Sequence, residues 1–196
     1  MFAPTRCLLD KVVARRIMEA LLKLASAQDL TAEEVDALSL YERADVRGIR
    51  LFMVLPTHRI LERLVLSTPY APLIALFRAR AEVALPTRYF HRWSRRLCDQ
   101  GFTREDAAVL ALGTFGTSRA ADVLGMHFVA TLDQPMINHW QTRQPAIRER
   151  LVAMQRQLHP PYRDAFLPQV RRPENITQET PGSQWVIHEG DADYEV

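Results

Sequence analysis

The chain has 196 residues, 47% hydrophobic and 24% charged, with a formal net charge of +2. That composition excludes a disordered or fibrous polymer, and the length suits one domain with an extension. No apolar run approaches the roughly 18 to 20 residues of a membrane span, and Met1 to Asp10 lack the basic-then-apolar layout of a secretory signal, so a cytoplasmic protein without a membrane partner is expected.

In chain order, RCLLD at 6–10 is a short apolar run ending on a carboxylate. Residues 12–27 then set Val13, Ile17, Ala20, Leu21 and Leu24 at helical spacing. Thr31 and Glu34 have the spacing of a capping box and open a helix running toward Gly48, a natural stop. IRLFMVL at 49–55 reads as a buried strand, ended by Pro56 and Thr57, with Thr57 capping the segment HRILERLVL. Residues 72–84 read as helix, and Pro86 and Thr87 begin another, RYFHRWSRRLCDQ, that stops at Gly101. Thr103 and Asp106 repeat the capping spacing before AAVLAL, which Gly113 ends. A loop is expected over 114–125, a third strand at HFVATL (127–132) followed by Asp133, and a last helix over 145–158. Strands separated by helices predict an α/β fold with a parallel sheet. The domain is expected to cover 1–168. Residues 169–196 form an acidic tail in this reading, flexible or an add-on strand rather than a domain, with WVI at 185–187 its one apolar cluster.

Cysteine and histidine chemistry is not expected to carry a site. Cys7 and Cys98 form no CxxC pair, Cys7 sits in a core strand, and the six histidines make no HExxH pattern. Two aspartates instead follow predicted strands directly, Asp10 and Asp133, while Asp106 lies in the first turn of a helix. In an open parallel sheet, side chains beyond the carboxyl ends of different strands converge at the point where strand order reverses. Converging carboxylates repel unless a divalent cation sits among them, and oxygen donors select Mg²⁺ or Mn²⁺. Such an ion activates water and stabilises an in-line phosphoryl displacement, so phosphodiester hydrolysis is the favoured chemistry. Singly, each aspartate is also explained as a turn or capping residue.

The segment GFTREDAAVLALG, a loop and FVATLDQPMI resemble the second half of a PIN domain. In that family an aspartate opens a helix and the next strand ends in T-x-D, here Asp106, Thr131 and Asp133. CLLDKVV resembles the family's first strand, with Asp10 as its terminal acid. The resemblance covers roughly residues 5–140. It implies a three-layer fold, a central mainly parallel sheet flanked by helices, and a metal-dependent endoribonuclease like the toxins of bacterial toxin–antitoxin pairs. Asp10, Asp106 and Asp133 would hold Mg²⁺ or Mn²⁺ and, with Glu62, form the catalytic set. RNA, an antitoxin-like protein and a second copy of the chain would be the partners. Two positions depart from the pattern. Val12 stands where an Asn or Ser is common, and the family's early glutamate falls near Ile60, with Glu62 two residues on and Glu42 a further candidate. These departures leave a second reading open: a catalytically silent PIN-like module that binds RNA or protein.

The charge distribution adds an interface to either reading. Residues 171–196 hold two arginines against six acids, so the preceding body carries most of the positive charge, nearly all of it arginine. Arg88, Arg92, Arg95 and Arg96 form a ridge on one helix, with Phe90, Trp93 and Leu97 on another side. That is an amphipathic helix packing its aromatics inward, and equally a ridge able to follow a phosphate backbone. The acidic tail could compete for that surface.

Overall fold

The computed structural model describes residues 4–65 and 69–178. Its elements in chain order are β1 (Thr5–Leu9), α1 (Lys11–Ala25), α2 (Ala32–Arg43), β2 (Ile49–Val54), α3 (Leu55–Val65), α4 (Ala71–Arg80), β3 (Ala81–Pro86), α5 (Phe90–Cys98), α6 (Arg104–Phe115), β4 (Gly116–Thr117), β5 (Phe128–Ala130), α7 (Gln134–Gln155), β6 (Gln169–Arg171) and α8 (Pro173–Gln178). The strands form one six-stranded sheet in the order β4-β3-β2-β1-β5-β6. Neighbours from β3 through β6 pair parallel, and the two-residue β4 is antiparallel to β3. The fold is therefore mixed α/β, with helices on both faces of the sheet.

Strict alternation along the central strands explains why both faces are covered. Leu8, Phe52, Val54 and Val129 point into one core, which Trp93, Leu110, Trp140 and Leu151 of α5, α6 and α7 complete. Cys7, Leu9, Leu51, Met53 and Ala130 point into the other, closed by Ile17, Leu40, Leu61, Phe77 and Ile176 from α1, α2, α3, α4 and α8. Such strands have no solvent face and so read as continuous apolar runs. Burial pushes the Cys7 thiol up to about 12, which keeps it an inert core residue.

Several boundaries differ from the expectations, each for a physical reason. Thr31 and Glu34 form the full capping box, but α3 begins at Leu55 with Pro56 in its first turn, where proline needs no N–H partner; Thr57 lies inside the helix. AEVALP, read as the end of a helix, is the strand β3, paired along β2 from Leu51↔Ala81 to Val54↔Ala84. α6 runs through Gly113 to Phe115. α7 begins at Gln134 and carries Pro145 inside it. Met136, Ile137, Trp140, Ile147, Leu151 and Met154 hold one buried stripe on both sides of that proline, so packing outweighs its lost hydrogen bond. Beyond Pro168 the chain adds β6 to the sheet edge and packs α8 against α2; the domain thus extends to Gln178. WVI and the acids from Glu179 onward lie outside the described residues. Among the described residues no helix is long and apolar enough to cross a membrane.

Candidate functional site

The order of strands places the site. Successive parallel strands step from β1 to β2 to β3, and the chain then returns to lay β5 on the other flank of β1. The reversal falls between β1 and β5, and beyond the carboxyl ends of such a pair a parallel sheet leaves a crevice. Asp10 follows β1 directly, and Asp133 stands three residues after β5.

Asp10 stays extended, at φ −62° and ψ 158°, and is the N-cap of α1. Its backbone N–H donates to Ala130 O at 3.0 Å, prolonging the pairing with β5. Its carboxylate accepts from the Lys11 N–H at 2.6 Å and from the Thr131 hydroxyl at 3.0 Å. Thr131 is fully buried and serves both aspartates, because its Oγ1 also accepts the Asp133 N–H at 3.1 Å. Asp133 caps α7 by accepting the Met136 N–H at 2.9 Å on Oδ1. Asp106 sits in the first turn of α6, where its N–H donates to Thr103 Oγ1 and its Oδ2 accepts the Thr103 hydroxyl. The α6 and α1 termini are joined beside it by Lys11 and Glu105 at 2.8 Å.

Electrostatics ties Asp106 to Asp10. Burial raises the Asp10 carboxyl above its ordinary range, and the negative charge of Asp106 raises it further; the Lys11 N–H and the Thr131 hydroxyl work the other way. The donors are all hard oxygens, suited to Mg²⁺ or Mn²⁺ and not to zinc. No three acidic, histidine or cysteine side chains are grouped tightly enough to hold one ion among the described residues. Magnesium keeps several of its waters and needs only one or two carboxylates, so the pair Asp10 and Asp106 fits that requirement.

Glu62 has other partners. Its Oε1 lies 2.9 Å from an Arg78 nitrogen and 3.6 Å from His58, outside the network that joins Asp10, Thr131 and Asp133. Glu42 is at the end of α2, which leads into the amino end of β2. That end pairs with the start of β1 and so marks the opposite edge of the sheet.

The arginine ridge is split. Trp93 and Leu97 are buried and Phe90 packs on the core, while the four arginines are exposed. Arg88 stacks over Tyr89 and Tyr162 at 4.7 and 4.9 Å. Arg92 and Arg96 instead turn toward Arg150 of α7, a residue that the sequence pattern did not single out. Spacing alone gives no hint of Arg150, which lies 54 positions from Arg96 on another helix. Compared with protein-family models, curated proteins and solved structures, the chain matches none.

Proposed function

We propose that the chain is a PIN-like ribonuclease, dependent on Mg²⁺ or Mn²⁺, that hydrolyses RNA phosphodiester bonds at the edge formed by Asp10, Asp106 and Asp133. The observation that carries this reading is the Thr131 bridge: one buried hydroxyl bonds the carboxylate of Asp10 and the backbone of Asp133. It lies at the strand reversal, beside a second acid whose charge Asp10 feels. The parallel run β3-β2-β1-β5-β6 supports the PIN-like architecture.

In this reading Asp10 and Asp106 hold the ion. When bound, the ion supplies a water of lowered pKa and neutralises charge gathering on the phosphoryl oxygens. Asp133 uses Oδ1 for its cap, and its other oxygen, without a partner among the described residues, can accept a proton from water at the same edge. Lys11 and Glu105 pair across the starts of α1 and α6, beside Asp10 and Asp106.

Asp133→Asn tests the proposal, because asparagine caps a helix as well as aspartate does. The variant is expected to melt with the native chain and to lose Mn²⁺-dependent cleavage of RNA. Cleavage at the native rate would remove Asp133 from the site. The pairing of Glu62 with Arg78 favours a second reading, the silent PIN-like module, in which RNA is bound and left uncut. Calorimetry separates the two: Mn²⁺ binding that Asp106→Asn abolishes supports the nuclease, and no heat of binding supports the module.

A further inference from the structure

Side chains of α5 and α7 line a hollow of about 160 Å³. Arg92 and Arg96, one helical turn apart on α5, line it with Arg150 of α7, Trp93, Met154 and Gln157. Three guanidiniums thus gather around one hollow. The fold does little to neutralise them. Arg96 has Asp99 at 3.7 Å, whereas Arg92 and Arg150 have no acidic partner among the described residues. Trp93, which also lines it, is 1% exposed, and its indole N–H has no hydrogen-bond partner among the described residues.

We propose that this groove is a second phosphate site, which seats the backbone of a single-stranded RNA away from the carboxylate edge. This inference rests on the ribonuclease reading and adds to it where the strand runs. Guanidinium forks match phosphate oxygens in pairs, and a groove with three of them and a single carboxylate at its margin complements a polyanion. Asp133 and Arg150 lie on one helix, about 25 Å apart at ~1.5 Å of rise per residue. A mononucleotide cannot touch both, whereas a strand laid along α7 can. The groove thus supplies affinity and direction, and the carboxylate edge supplies the cut.

The test is fluorescence anisotropy of a long fluorescein-labelled oligouridylate against the full-length chain, in EDTA, over a series of salt concentrations. Each phosphate contact to a single strand adds about 0.7 to the slope of log affinity against log salt. Converting Arg92, Arg96 and Arg150 together to glutamine is expected to lower that slope by about two. Converting all three to lysine, which keeps the charge, should preserve it. A matched triple, Arg43→Gln, Arg59→Gln and Arg119→Gln, removes the same charge from exposed positions away from α5 and α7 and should leave the slope as in the native chain. Equal losses in the two glutamine triples, or none in the groove triple, would overturn the groove while leaving the ribonuclease reading standing. Failure of the native chain to bind the oligouridylate at low salt would overturn both.

Discussion

At the scale of single residues, the site depends on a charge that the fold makes costly. Asp10 is half-buried and near Asp106, so its carboxyl titrates above the ordinary value. A raised carboxyl contributes stability that is fully present below the unfolded pKa, about 3.9 for aspartate, and that is lost as pH rises through the folded value. At neutral pH Asp10 is therefore a burden, and Asp10→Asn should melt above the native chain. The gap should close as pH falls toward about 4, and thermal melts across that range read it directly. A gap independent of pH would mean that charge is not its cause. Mn²⁺ should raise the native melt and leave Asp10→Asn unmoved. The places of Asp10, Asp106 and Asp133 at strand ends and helix starts were legible in the sequence, because strand ends and helix caps are local signals. Thr131 was visible only as part of a motif. Its role as a bridge requires β1 and β5 to be neighbours, although its hydroxyl reaches a residue 121 positions away. The pairing of Glu62 was hidden for the same reason, since Arg78 reaches it only after α3 and α4 have packed.

At the scale of elements, local propensity gave way where partners were distant. AEVALP is rich in helix formers, yet it lies in the sheet because Ala81 and Ala84 are small enough to bury beside β2. Gly113 reads as a helix stop and is in fact a point of close packing. A β-carbon there would come within 2.7 Å of the Pro168 ring and 3.0 Å of a Val129 methyl. Alanine would gain helix propensity, up to about 1 kcal/mol, but neither the ring nor the β-branched valine can yield cheaply. The contact wins, and Gly113→Ala is expected to destabilise by about 1–2 kcal/mol net, measured by urea denaturation. A stabilised variant would show that the Pro168 segment moves aside easily. Pro168 approaches from 55 positions along the chain, and no local window contains it. The capping box at Thr31 needed no such partner and could be read directly.

At the scale of the whole molecule, the segment after Pro168 completes the sheet. β6 pairs with β5 in register, Phe128↔Gln169 through Ala130↔Arg171, and Thr131 donates its N–H to Arg171 O. Val170 and Ile176 are buried, one in each core. Ending the chain at Pro168 removes both, at about 1.5–3 kcal/mol each, which is a large share of the 5–15 kcal/mol typical of a domain. The truncated chain is expected to melt far below the full one and without cooperativity. An unchanged melt would show that β6 and α8 are ornaments on a finished domain. The same topology has a consequence in time. β1 lies inside the sheet and precedes the other five strands in chain order, but one of its two neighbours comes more than a hundred residues later. Until then its flank is an open edge, and Asp10 stands with neither Asp106 nor Thr131 yet synthesised. A chain interrupted before Asp106 therefore holds one acid of the three and no crevice, so the carboxylate edge is assembled only after synthesis has passed Asp133.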